Sequence, residues 1–276
     1  MSAVQAGAAT LVRTQRGTLV RVLSFGAESA PALVFMHGVM GLLDDNRLLE
    51  KLAGRFHVIA PELPGYGASE GEELLEDMLD FTLHGFDVLD AVQVQKPILV
   101  GHSLGGMIAA EMACLAPSLI ERLVLVDPFG LWLDAHPIPD LFALLPFEIG
   151  DLLFHDPRQS AELLPGASDF AAPESLRQFF VANTRQLGTA GKLLFPIPNR
   201  RLSKRLYRLS TPSLVVWAED DRLIPAEPYS TRWQSLLPQS QVVKIHDAGH
   251  MLPYEQPLAL AEAISAFTPI PAVHSG

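Results

Sequence analysis

Ser103 stands in Gly101-His102-Ser103-Leu104-Gly105, between two glycines and directly after the apolar run "PILVG" (97–101). A serine hydroxyl is a weak nucleophile near neutral pH. Reaction at Ser103 therefore needs a base to take its proton and an acid to orient that base. His250, in "HDAGHMLPYEQP", follows the last strand-like run and is the candidate base. Glu219, Asp220 and Asp221, in "VVWAEDDRLIP", follow the run that ends at Trp217 and are the candidate acids. A further need is a pair of fixed N–H donors for the charge that develops on a substrate carbonyl oxygen. In "FMHGVMG" (35–41), Gly38 and Gly41 let the chain turn sharply and leave the N–H of Val39 or Met40 to face Ser103. The N–H of Leu104 is the second donor.

The elements that must position these groups follow from periodicity. Eight short runs rich in Val, Leu and Ile recur at 9–13, 18–25, 31–36, 56–61, 97–101, 122–127, 212–217 and 240–245. The middle runs show little polar alternation, as strands buried on both faces do. Helical patterns lie between them at 44–53, 75–92, 104–116 and 257–267. Alternating strands and helices predict an α/β fold: a mostly parallel eight-stranded sheet with helices on both faces. The first two runs are joined by a turn alone, which predicts an antiparallel edge hairpin. The rhythm breaks at 129–209, a stretch with repeated prolines, helical pieces at 140–154 and 173–187, and no convincing strand. It is expected to be a helical insertion, with 1–128 and 210–276 as one core. In this frame Ser103 occupies a sharp strand-to-helix turn that strains its backbone. Gly101 and Gly105 flank it because side chains there would collide. The acid and the base follow two other strands, on the same side of the sheet.

Composition narrows the function classes. With 276 residues and 49% hydrophobic content the chain can bury one large core. A net charge of −11 makes it a poor ligand for nucleic acid or an anionic membrane. Cys114 is the sole cysteine, so an internal disulfide and a cysteine zinc site are excluded. No apolar run reaches the roughly 18 residues that span a bilayer, and no signal peptide is evident at the start. The expectation is a cytoplasmic protein with no metal or organic cofactor.

Five segments in this order resemble the α/β-hydrolase superfamily: "HGVMG" (37–41), "PELPGYGAS" (61–69), "GHSLGG" (101–106), "VVWAEDDRLIP" (215–225) and "DAGHMLPYEQP" (247–257). The resemblance implies Ser103, Asp221 and His250 as the catalytic set and the N–H groups of Val39 and Leu104 as the oxyanion hole. Asp221 is selected because the family's acid usually sits in Gly-x-x-Asp with Pro four residues on; here Pro225 fits and Ala218 replaces the glycine. Glu62 replaces the usual Asp of Asp-Leu-Pro-Gly. The insertion at 129–209 corresponds by position to the family's helical cap. Haloalkane dehalogenases and epoxide hydrolases share the fold but use an aspartate nucleophile, against Ser103. In carbon–carbon bond hydrolases a Trp often follows the catalytic His, where this chain has Met251.

The expected function is hydrolysis of a carboxylic ester or related acyl bond through an acyl-enzyme. The alternatives are a C–C bond hydrolase or a lactonase on the same residues, then a cofactor-free perhydrolase or a ligand-sensing module. Met40, Phe129 and Met251 are expected substrate contacts. The cap phenylalanines Phe142, Phe147, Phe154, Phe179 and Phe180 favour a small-molecule acyl substrate with an apolar portion. Cys114 is expected to be core, His37 to support the oxyanion loop, and His102 to neighbour the nucleophile. "NRRLSKRLYR" (199–208) holds five basic residues, expected as a solvated helix face or as a source of one Arg for an acidic substrate.

Overall fold

Strand β3 (Ala32–Met36) shows how the sheet divides the core. Leu33 and Phe35 enter one apolar cluster, while Val34 and Met36 enter another on the opposite face. That is the two-residue period of a strand covered on both sides. The structure is a computed structural model that describes residues 7–164 and 173–269, without the side chains of Pro146, Phe147 and Pro173.

In chain order the elements are β1 (Ala8–Arg13), β2 (Leu19–Phe25), β3, α1 (Arg47–Ala53), β4 (His57–Pro61), α2 (Met78–Ala91), β5 (Ile98–His102), α3 (Ser103–Leu115) and β6 (Arg122–Val126). Then come α4 (Pro146–Leu153), α5 (Ser160–Leu163), α6 (Pro173–Leu194), β7 (Ser213–Ala218), α7 (Ala226–Leu236), β8 (Gln241–Ile245), α8 (Leu252–Glu255) and α9 (Pro257–Phe267). The eight strands form one sheet in the order β1-β2-β4-β3-β5-β6-β7-β8. Pairings β1–β2 and β2–β4 are antiparallel and the rest are parallel. Helices α1 and α9 cover one face through Leu48, Leu52, Leu260 and Ile264. Helices α2, α3 and α7 cover the other through Phe81, Ile108 and Trp233.

Helix boundaries differ from the periodicity where side chains intercept the backbone. Helix α2 starts at Met78 because the Asp77 carboxylate accepts from the N–H groups of Leu79 and Asp80. Helix α1 starts at Arg47, after Asp45 has taken the Arg47 N–H at 3.0 Å. The pattern at 140–154 breaks into a 3-10 turn (Leu141–Ala143) and α4. Leu145 is extended before Pro146, as proline requires of its predecessor. Helix α6 runs on to Leu194. The basic stretch at 199–208 is no helix face: it forms two 3-10 turns, with Arg201 at φ 60°. Between β6 and β7 the described residues form helices and turns and no strand.

Candidate active site

Strand β5 ends at His102 and α3 begins at Ser103, with no connecting residue. Ser103 has φ 56°, a left-handed conformation that costs a non-glycine residue about 1–3 kcal/mol. The tight turn also explains both glycines. A Cβ at Gly101 would lie 2.5 Å from the Gly105 carbonyl oxygen, and one at Gly105 would lie 2.3 Å from that of Met36.

Three loops at the carboxyl ends of β5, β7 and β8 converge. His250 Nε2 lies 2.8 Å from Ser103 Oγ, and His250 Nδ1 lies 2.7 Å from Asp221 Oδ2. A carboxylate can only accept, so Nδ1–H donates to Asp221 and Nε2 is left to accept from the serine hydroxyl. Asp221 Oδ1 accepts from the N–H groups of Leu223 and Ile224, both at 2.8 Å. All three side chains are buried. Asp220, one residue away, instead faces outward and pairs with His155 at 2.9 Å.

The 37–41 loop leans on the turn at 63–66. The Leu63 N–H donates to His37 Nε2 at 3.0 Å, so His37 carries its proton on Nδ1 and donates to the Gly38 carbonyl at 2.8 Å. Burial pushes the His37 pKa down to about 4, against the opposing pull of that carbonyl. Tyr66 Oη donates to the Val39 carbonyl at 3.0 Å. A Cβ at Gly38 would strike Ser103 Cβ at 2.9 Å, so glycine lets this loop approach the serine. Leu104 lies in the first turn of α3, where backbone N–H groups lack intrahelical partners. His102 donates from Nε2 to the His250 carbonyl at 2.7 Å. Burial, then the neighbouring His250, push its pKa down to about 3, so it stays neutral beside His250.

Residues 33–263 match the Alpha/beta hydrolase family. The chain belongs to that family. It is 26% identical over 253 residues to the uncharacterized hydrolase YugF of Bacillus subtilis, covering 85% of this chain and 89% of that protein. It is 25% identical over 260 residues to mouse sn-1-specific diacylglycerol lipase ABHD11, covering 88% of this chain and 82% of the lipase. A meta-cleavage product hydrolase of Pseudomonas fluorescens, CumD, shares the fold with a TM-score of 0.75 at 18% identity, covering 94% of this chain and 96% of its own.

In this alpha/beta hydrolase the pocket over Ser103 is narrow, with a volume of about 10 Å³, room for about one water. Met40 and Met251 line it. Phe129 is absent from the lining; it packs edge-on against the His250 ring, 5.9 Å between centroids, and its N–H donates to the Ser103 carbonyl. Leu141, Leu153 and Leu223 complete the apolar wall and were not singled out in the sequence. Of the five phenylalanines expected to face the substrate, Phe142, Phe154, Phe179 and Phe180 are not on the lining: Phe154 is buried elsewhere and Phe180 is exposed; the side chain of Phe147 lies outside those described. Among the described residues no Arg or Lys lines the pocket, and Arg200, Arg205 and Arg208 line a separate cavity. Among the described residues no cluster of three His, Cys, Asp or Glu is arranged to hold a metal, and no helix is long and apolar enough to cross a membrane.

Asp127, at the end of β6, is a buried acid that patterning did not reveal. Its Oδ1 accepts from the Ala218 N–H at 2.8 Å, while Oδ2 has no partner. Burial, then the charge of Asp221, push its pKa well up. The two acids differ in environment: Asp221 has three donors and Asp127 has one.

Proposed function

We propose that this protein is a serine hydrolase of uncharged carboxylic esters, with Ser103, His250 and Asp221 as its catalytic residues. The observation that carries this reading is the unbroken chain Ser103 Oγ–His250–Asp221, at 2.8 and 2.7 Å, on a serine held at φ 56°. Ser103 Oγ attacks the ester carbonyl carbon as its proton passes to His250 Nε2. The N–H groups of Val39 and Leu104 bind the oxyanion; each such donor contributes about 3 to 4 kcal/mol to the transition state. The tetrahedral intermediate collapses, and His250 returns the proton to the leaving alcohol. Water, deprotonated by His250, then attacks the acyl-enzyme and releases the carboxylic acid. Asp221 holds the imidazole in the tautomer this requires and stabilises its charged form. No step needs a cofactor.

Residues 129–209 act as a cap in this reading, with Leu141 and Leu153 from it closing the pocket. The apolar, cation-free lining supports a neutral acyl group over a substrate with a carboxylate beside the scissile bond. That favours esters over the C–C hydrolase alternative, although relatives by fold include such enzymes. Short p-nitrophenyl esters and a fluorophosphonate probe test the proposal. Turnover should fall by about 10⁴-fold or more in Ser103→Ala, with loss of labelling. Full turnover in Ser103→Ala, or no labelling of the native chain, would refute it.

A further inference from the structure

A second cavity, of about 330 Å³, opens between α2, the distal half of α3 and the basic stretch at 199–208. Its α3 residues Glu111, Cys114 and Leu115 lie about 12–18 Å along the helix axis from Ser103. We propose that this cavity binds a small organic carboxylate with a short apolar tail, independently of the pocket at Ser103.

Charge is the first argument. Arg200, Arg205 and Arg208 line the cavity against two carboxylates, Glu111 and Asp77, which leaves a net positive lining on a chain of net charge −11. Arg205 is neutralised by the buried Glu111, its Nε 2.7 Å from Oε2. Asp77 is turned to the first turn of α2, where it accepts from Leu79 and Asp80. Arg200 and Arg208 form no ion pair among the described residues.

Both cations are nevertheless anchored. Arg208 Nε donates to the Cys114 carbonyl at 2.9 Å, and Arg200 Nη2 donates to the carbonyls of Lys192 and Phe195 at 3.0 Å. Neutral carbonyls fix these side chains without cancelling their charge. The remaining N–H groups, both Nη of Arg208 and the Nε and Nη1 of Arg200, are held in place for an anion. Such preorganisation reduces the entropy lost on binding, and a guanidinium fork matches a planar carboxylate.

Apolar surface is the second argument. Met78, Leu79 and Leu115 share the lining, and Leu79 and Leu115 are 55% and 47% exposed. Covering them gives an aliphatic tail favourable burial. The volume lies at the lower end of small-ligand sites.

The test uses the full chain, octanoate and inorganic phosphate. Calorimetry should give one saturable octanoate site, weakened about tenfold or more in Arg200→Gln and in Arg208→Gln, and unchanged in Ser103→Ala. Phosphate should bind more weakly than octanoate. With ¹³C-methyl methionine, octanoate should shift the Met78 resonance and leave Met40 and Met251 in place. That readout uses the native chain and does not depend on how the Arg variants fold. Absence of saturable binding, phosphate binding as tight as octanoate, or shifts at Met40 and Met251 with Met78 unmoved would each overturn the proposal.

Discussion

Asp220 and Asp221 are neighbours in sequence with different surroundings, and the difference predicts different mutants. Asp221 is 5% exposed and accepts from His250 Nδ1; Asp220 sits at the surface with His155. Asp221→Asn keeps the shape but can donate to His250, which favours the wrong imidazole tautomer. It should lower kcat/KM for a p-nitrophenyl ester by about 10³–10⁴-fold, whereas Asp220→Asn should stay within a few fold. A large loss confined to Asp220→Asn would reverse the assignment. Tyr66 gives a subtler case, because its hydroxyl orients Val39 without reaching the substrate. Tyr66→Phe should lower kcat by about tenfold with KM little changed, since in the proposed mechanism the Val39 N–H acts on the transition state. Equal activity in Tyr66→Phe would show that the loop holds its shape unaided. The serine, the base and the acid triplet were legible in the sequence because each lies in a short motif at a strand end. Tyr66 and Asp127 were not, because their roles depend on partners brought near by the sheet: Val39 for one, Ala218 and Asp221 for the other.

At the scale of elements, the sheet was readable because burial on both faces leaves continuous apolar runs, and all eight correspond to strands. The segment between β6 and β7 was less so. Its helices bury side chains against the core by contacts between distant residues, and apolar content alone does not say which face turns inward. The phenylalanines drew attention by size, yet it is the leucines Leu141 and Leu153 of this segment that line the pocket. Leu153 is 1% exposed, and the residues around it tie α4 to the core. Arg222 donates to the carbonyls of Asp151 and Phe154, and Glu255 accepts from the His155 N–H. With α4 held in this way, Leu153→Ala should enlarge the pocket instead of letting it collapse. The cost is about 2–5 kcal/mol of stability, as for other buried Leu→Ala changes. The expected gain is a shift of acyl-chain preference toward longer p-nitrophenyl esters. An unchanged chain-length profile, measured well below the melting temperature, would place the acyl group elsewhere.

Across the whole molecule, buried ionisable groups set how stability depends on pH. His37, His84 and His102 are buried, and desolvation lowers their pKa values from 6.5 to about 4, 4 and 3. Each is neutral in the fold and takes up a proton on unfolding below pH 6.5. Their contribution is fully present above that value and is lost as pH falls toward 4. Asp127 works in the opposite sense. Its raised pKa makes it hold its proton to higher pH in the fold than when unfolded, so its contribution is lost as pH rises. Between about pH 5 and 6 the three histidines together take up between about two and three protons on unfolding, a slope of about 3 to 4 kcal/mol per pH unit, which Asp127 opposes. Carboxylates such as Glu255 alter the absolute slope, but comparison of variants removes them. His84→Leu should lower the slope by about one proton, since the unpartnered Nε2 of His84 sits in an apolar setting. Asp127→Asn keeps an acceptor for the Ala218 N–H and removes the opposing proton, so it should raise the slope. Its stability relative to the native chain should rise as pH rises above the usual carboxylate range, where the buried Asp127 carboxyl is costly to the native chain. Urea midpoints and m-values over this range measure both slopes. An unchanged slope in His84→Leu would mean that His84 is charged in the fold. An unchanged slope in Asp127→Asn would mean that Asp127 is ionised, with its charge unpartnered beside Asp221.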